Sequence, residues 1–225
     1  MTRIALIHAV AAAMQPVEES FKTHWSEVRR TNLLDDALAA DREQAGRLTP
    51  ALSERILALA RYAVGCGADG VLFTCSAFGE AIEGAAAALT APVLKPNEAM
   101  FDAALTIGGR IGMLATFAPA VTSMEDEFRD LANRRKASAT LETALVRGAR
   151  EALMAGEPLK HDRLIAEATS ELKGCNAIML AHFSMANAAP LVRAKVGRPV
   201  MTAPDAAVLK LRSLLTHATG DQIRS

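Results

Sequence analysis

The chain lacks an excess of charge in either direction, with 25 Lys and Arg against 25 Asp and Glu in 225 residues. Without a clustered basic surplus it is not expected to bind nucleic acid, whose phosphates demand one. No apolar run approaches the roughly 20 residues that a membrane-spanning helix needs, so no membrane partner is expected either. Cysteine is scarce and odd in number, at Cys66, Cys75 and Cys175. That argues against a disulfide framework and suits a reducing, cytoplasmic compartment. Several cofactor signatures are missing as well. No GxGxxG follows the first apolar run, no GxxxxGK[ST] phosphate loop occurs, no close His/Cys pair has metal-ligand spacing, and no lysine stands out as a Schiff-base former. The economical expectation is chemistry without a cofactor or a metal.

What is present is a folded chain: 51% of its residues are hydrophobic and 22% charged, outside the range of disordered sequences. Its length fits one large domain or two small ones, either able to bury a substantial core. The opening segment MTRIALIHAVAAAM loosely imitates a secretory signal. His8 interrupts its apolar run, and a buried strand explains the segment better.

Comparison of the chain with itself supplies that explanation. A shift of 107 positions lays Arg3-Ile4-Ala5-Leu6-Ile7 on Arg110-Ile111-Gly112-Met113-Leu114, and Val17–Lys22 on Met124–Arg129. The same shift lays Gly70-Val71-Leu72-Phe73 on Ala177-Ile178-Met179-Leu180, and Pro92-Val93 on Pro199-Val200, with smaller echoes at Ala37-Leu38 on Ala144-Leu145, Leu52 on Leu159 and Gly67 on Gly174. Four separated segments agreeing on one offset divide the chain into halves, 1–107 and 108–225, the first expected to be completed by a C-terminal helix over 204–217.

Each half alternates short continuous apolar runs with longer amphipathic ones. Strands are expected at 3–8, 28–34, 69–74 and 92–95, and again at 110–116, 136–142, 176–181 and 199–202. Helices are expected at 15–25, 50–65 and 78–89, then at 119–133, 158–173, 184–195 and 204–217, with Pro16 and Pro50 as helix starters. The segment 37–50 reads as a loop-and-helix transition that would cover a site. This alternation predicts an α/β fold of two doubly wound parallel-sheet halves related by a pseudo-two-fold axis, with the site in the cleft between them.

In such sheets ligands bind beyond the carboxyl ends of the strands. Cys75 follows GVLFT and precedes an expected helix, where the positive end of the helix dipole would favour thiolate, a base or a nucleophile. The alternative is a small buried hydrophobe. The 107-residue offset makes His182 its equivalent, either a titratable partner or a histidine satisfied at a strand end. His8 ends the first strand and would line the cleft, whereas His24, His161 and His217 would sit on helices facing solvent. Ser76, Ala77, Thr116 and Ser184 lie at expected helix starts, where hydroxyls and backbone amides suit a carboxylate or simply cap the helix. Asp35 and Asp36 could hold a polar substrate group or be a solvated loop, and Cys66 and Cys175 lie at the opposite sheet edge.

Two fused α/β halves, with FTCSAFG after the third strand and LAHFSMA at the matching place, resemble the aspartate/glutamate/hydantoin racemase superfamily. The resemblance runs from RIALIH through PVMTAPDAAVLKLR. It implies cofactor-independent chemistry on a small carboxylate-type substrate. Racemases of that group use two cysteines as paired acid and base, related cis–trans isomerases a cysteine nucleophile, and arylmalonate decarboxylase a single cysteine. Here Cys75 matches the first cysteine, while His182 stands in the place of the second. His8-Ala9-Val10 likewise departs from the Asp-Ser-Gly type turn of glutamate racemases.

The leading expectation is therefore a racemase or epimerase working at the carbon next to the carboxylate, or an equivalent group, of an amino acid, a hydantoin or a similar small molecule, with Cys75 and His182 catalytic. The alternatives are single-cysteine decarboxylation or cis–trans isomerisation of a small diacid, or a non-catalytic small-acid binding protein. Apolar helix faces in an alanine-rich chain are compatible with a homodimer.

Overall fold

Continuous apolar runs such as IALI (Ile4–Ile7, each at most 1% exposed) form strands covered on both faces, the signature of parallel sheets. The computed structural model describes residues 1–221, with the backbone alone for 217–221. Its elements in chain order begin with β1 (Arg3–His8), α1 (Met14–His24), β2 (Arg29–Leu34), α2 (Ala37–Ala45), α3 (Pro50–Gly65), β3 (Gly70–Phe73), α4 (Gly79–Ala88) and β4 (Val93–Leu94). They continue with α5 (Glu98–Ile107), β5 (Gly109–Ala115), α6 (Ala118–Arg135), β6 (Ala139–Leu145), α7 (Ala149–Met154), α8 (Pro158–Ala168), β7 (Ala177–Leu180), α9 (Ala189–Lys195), β8 (Val200–Thr202) and α10 (Ala203–Asp221).

Two compact units result, one of Met1–Pro96 with the chain from Ala207 onward, the other of Asn97–Ala206. The first holds a parallel sheet of order β2-β1-β3-β4, the second a parallel sheet of order β6-β5-β7-β8. The topology is the same. In the first unit α10 packs its Leu211 against β3, where Gly70 leaves room for it, and Arg212 Nη1 donates to the His24 carbonyl at 2.7 Å. In the second unit a core of Leu114, Ile165, Leu172, Ile178, Leu180 and Met185 fills the space under the helices.

The repeat extends to individual bonds. Arg3 N donates to Asp69 Oδ2 at 2.8 Å, and Arg110 N donates to Asn176 Oδ1 at 3.1 Å. In return Asp69 N donates to the Arg3 carbonyl at 2.8 Å and Asn176 N to the Arg110 carbonyl at 2.6 Å. The offset carries buried Val17 and Phe21 onto buried Met124 and Phe128. It also preserves register: Ile4 faces Gly70 as Ile111 faces Ala177, and Val71 faces Val93 as Ile178 faces Val200.

One stretch breaks the offset. Arg3 faces Arg29 in β2, but Arg110 faces Thr140 in β6, four positions beyond the repeat. The cause is α6, 18 residues long where α1 has 11. The strand expected at 136–142 therefore lies at Ala139–Leu145. The echo of Ala37-Leu38 in Ala144-Leu145 is not structural, because the first pair opens α2 and the second closes β6. Leu52 and Leu159 also differ, one buried and the other 73% exposed, since α3 and α8 start at Pro50 and Pro158, one step off the repeat. In α3 the Thr49 side chain accepts from Leu52 N at 3.3 Å with Pro50 in the first turn, a full N-terminal cap.

Two helices, α5 and α7, have no counterpart among the expected ones, and the helical part of the transition expected over 37–50 is α2. The expected helix at 78–89 begins as a 3-10 turn over Ser76–Phe78, and that at 184–195 as one over Phe183–Ala188. The helix expected at 158–173 ends in another, Thr169–Leu172. No described helix is long and apolar enough to cross a membrane.

Candidate functional site

The two central strands of the first sheet, β1 and β3, stand where the connections part to opposite sides. The carboxyl edge at such a switch point is where open α/β sheets bind ligands. The chain leaves β1 at His8 and β3 at Thr74-Cys75. Asp35 N donates to the His8 carbonyl at 3.0 Å and Thr74 N to the Ile7 carbonyl at 3.0 Å, which fixes both exits. The second unit repeats these bonds, with Val146 N on the Ala115 carbonyl at 2.7 Å and Ala181 N on the Leu114 carbonyl at 3.0 Å.

Cys75 and His182 hold equivalent places, each within its own unit. Cys75 is extended (φ −117°, ψ 122°) before the 3-10 turn Ser76–Phe78, and His182 is extended (φ −112°, ψ 147°) before the turn Phe183–Ala188. Both residues are half-buried. Neither turn is capped by the side chain of the residue before it.

A chain of hydrogen bonds backs the Cys75 turn. His8 is fully buried, with Nε2 2.8 Å from Asn32 Oδ1 and Nδ1 2.9 Å from Thr74 Oγ1. Asn32 turns its amide nitrogen to Glu18 Oε1 at 3.1 Å, so its oxygen faces the imidazole and accepts from Nε2–H. The bare Nδ1 then accepts from the Thr74 hydroxyl. Burial lowers the His8 pKa, opposed by the Asn32 bond and the Glu18 charge. Both ring nitrogens are thus occupied behind Thr74, and this geometry gives His8 the work of holding the residue before Cys75.

Burial pushes the Cys75 thiol up to about 11, against the opposing pull of an Ala77 N–H that bonds the sulfur and of the Arg42 charge. The sequence-based expectation of a thiolate favoured by a helix dipole is corrected on two counts. The α-helix begins only at Gly79, and loss of water around the sulfur outweighs the local amides. The resting group is a protonated thiol.

His182 is also neutral at rest. Burial, then the neighbouring His161, lowers its pKa to about 4. Its Nε2 accepts from Phe117 N–H at 3.2 Å, which places the ring proton on Nδ1. His161 overturns the expectation of a solvent-facing histidine: it is 1% exposed, with Nδ1 2.7 Å from Asp162 Oδ1. Its Nε2 is buried without a hydrogen-bond partner among the described residues. His24 is half-buried, and the side chain of His217 lies outside the described residues.

Ser76 and Ala77 are buried in the turn after Cys75; Thr116 and Ser184 are half-buried near the ends of β5 and β7. Asp35 is engaged by Arg55, which also reaches Asp41, and Asp36 is exposed at the start of α2. Phe78, Phe183 and Met185 belong to the core, while Phe117 stays half-buried with the Arg150 guanidinium 4.9 Å above its ring. Cys66 is exposed and Cys175 buried, and both precede strands at the amino edges of the sheets. Among the described residues no cluster of His, Cys, Asp and Glu could hold a metal ion.

Sequence reasoning passed over Arg42. It lies on α2, is 8% exposed, and donates from Nε to the Ala77 carbonyl at 3.3 Å. Set in the charged string DREQ, it carries no local signal of burial.

Comparison with curated protein sequences finds no match. Solved structures do match in fold. Glutamate racemase from Bacillus anthracis superposes with a TM-score of 0.76 at 11% identity, over 96% of this chain and 82% of that one. Allantoin racemase from Klebsiella pneumoniae gives 0.70 at 17% identity, over 97% and 89%. A sulfate-associated variant of arylmalonate decarboxylase gives 0.64 at 15% identity, over 93% and 92%. A profile of the Asp/Glu/hydantoin racemase family matches residues 6–211. With that match running over nearly the whole length, the chain belongs to the Asp/Glu/hydantoin racemase family and is an enzyme of the isomerase class.

Proposed function

We propose that the protein racemises or epimerises a small carboxylate-type substrate, such as an amino acid or a hydantoin, by moving a proton at the carbon next to the carboxylate or its equivalent carbonyl, with Cys75 as the acid/base. The observation that carries this reading is the position of Cys75: a thiol at the carboxyl edge of the two central strands, its sulfur bonded by the Ala77 N–H. In the reaction Cys75 first gives its own proton to solvent, the thiolate so formed takes the substrate proton, the electron pair stays on the substrate as an enolate, and a proton delivered to the opposite face completes inversion. His182, equivalent to Cys75 by the repeat, is the second residue we assign to the proton transfer; its neutral imidazole must take up a proton before it can give one. Ser76 in the first unit, and Thr116 and Ser184 in the second, are the proposed hydroxyl and amide donors to the carboxylate, while Ala77, its N–H on the Cys75 sulfur, shapes the turn beside them.

A second reading is favoured by one observation, the protonated resting state of Cys75. In single-cysteine decarboxylation the C–C bond breaks, CO2 leaves, and the electron pair left behind takes its proton from the Cys75 thiol. That sequence starts from the form of the thiol that exists at neutral pH. Incubating the enzyme with single enantiomers of small carboxylic acids and with disubstituted malonates separates the readings. Loss of optical rotation without CO2 supports the first and CO2 release the second; neither product across the panel, with ligand still bound, overturns both.

A further inference from the structure

Buried side chains without partners are costly, and a guanidinium is among the costliest. Arg42 is such a group: 92% of it is removed from solvent, and its Nη1 has no hydrogen-bond partner among the described residues. No carboxylate is paired with it there. The chain of contacts around it leads to the candidate nucleophile. Arg42 Nε donates to the Ala77 carbonyl at 3.3 Å, and the Ala77 N–H in turn donates to Cys75 Sγ. One residue thus joins the guanidinium to the thiol, both inside the first unit.

We infer that Arg42 is a positioning residue for Cys75: it fixes the Ala77 turn that holds the sulfur and supplies the buried positive charge against which Cys75 carries a negative one. When the S–H bond breaks, the proton leaves to solvent and the electron pair remains on sulfur, giving the uncompensated guanidinium an anion. The Arg42 charge already favours that form, though at rest it does not overcome burial. A salt-bridged arginine could not do this, because a fixed carboxylate would cancel its field. The inference deepens the reading of Cys75 above and rests on it for its purpose, but its test needs neither substrate nor turnover.

The test is alkylation of Cys75 in the otherwise intact chain carrying C66A and C175A, followed by mass spectrometry between pH 7 and 10. Arg42→Gln keeps a donor for Ala77 but removes the charge, and Arg42→Lys keeps the charge. A one-unit rise in the thiol pKa means about tenfold less thiolate at a given pH. The expected result is therefore iodoacetamide alkylation about tenfold slower in R42Q and within about threefold of the parent in R42K. Equal slowing in both variants, or none in R42Q, overturns the inference. A second measurement needs no Arg42 variant. Iodoacetate and iodoacetamide are nearly isosteric, so in the unsubstituted chain their rate ratio at Cys75, set against the ratio at exposed Cys66, isolates the local charge. A higher ratio at Cys75 is expected, and an equal or lower one contradicts the inference. Absence of racemase or decarboxylase turnover would count against the proposed function alone.

Discussion

His182 Nε2 accepts a hydrogen bond from the Phe117 backbone N–H at 3.2 Å, and this one contact sets the chemical character of the second unit's strand end. A nitrogen that accepts carries no proton, so the imidazole is neutral with its hydrogen on Nδ1. A cation would have to break that bond, in surroundings that already disfavour charge and lie near a second histidine.

A pH dependence of stability follows. The folded pKa of His182 is lowered to about 4 from the ordinary 6.5, so between those values the unfolded chain binds the extra proton. The His182 contribution is fully present above pH 6.5 and is lost as pH falls toward about 4, with a slope of up to ~1.4 kcal/mol per pH unit. Urea denaturation across this range should show the slope, and His182→Asn should remove that share of it. At pH 7, the 15N shifts of the ring should report the Nδ1–H tautomer.

Thiol reagents should discriminate among the three cysteines. Cys66 is exposed, Cys75 is half-buried with its thiol pushed up to about 11 by burial, and Cys175 is buried. Iodoacetamide at pH 7 should modify Cys66 first, and Cys75 should gain reactivity with each step in pH through at least pH 10. Cys75 reacting faster than Cys66 at pH 7 would mean that the sulfur is far better solvated than this packing allows.

The Glu18–Asn32–His8–Thr74 chain predicts a sharp contrast between two similar substitutions. Thr74→Val removes the hydroxyl that satisfies His8 Nδ1 and leaves a fully buried nitrogen unpaired. The expected cost is about 1–3 kcal/mol by chemical denaturation. Thr74→Ser keeps the hydroxyl and should stay within about 1 kcal/mol of the parent.

Packing under β5 predicts another contrast. A Cβ on Gly112 would come within 2.9 Å of Ile178 Cδ1 and Leu172 Cδ1 and 3.2 Å of Cys175 Sγ. Gly112→Ala should therefore cost about 1–3 kcal/mol. Gly84, within α4, has nothing within 4 Å of the same position, and Gly84→Ala should stabilise by about 0.5–1 kcal/mol. Thermal melts of the two variants should move in opposite directions.

The strands were legible because a sheet buried on both faces writes itself as unbroken apolar runs, as in IALI and VLF. β6 was displaced because ATLETAL is mostly half-buried and carries no such run, and because the longer α6 carries the chain four residues past the repeat. The equivalence of Cys75 and His182 was visible as a pure matter of spacing, since β1, β3 and their counterparts keep one offset. Their protonation was not, because burial depends on neighbours distant in sequence. Arg42 in DREQ and His161 in KHDR sit among charged residues that normally face water. Only packing shows that Arg42 points its Nε at Ala77 and that His161 is enclosed.

The central claim is that Cys75 carries the proton, and solvent deuterium tests it most directly. Single enantiomers of small carboxylic acids and hydantoins would be incubated in D2O with the parent enzyme and with Cys75→Ala, and 1H NMR would follow the hydrogen next to the carboxylate. The account predicts deuterium uptake at that carbon in the parent and a loss of about 100- to 10,000-fold in rate in the variant, the order of effect expected when a group acting directly in proton transfer is removed. Undiminished exchange in Cys75→Ala would contradict it, and the chemistry would then have to be sought at a residue other than this thiol.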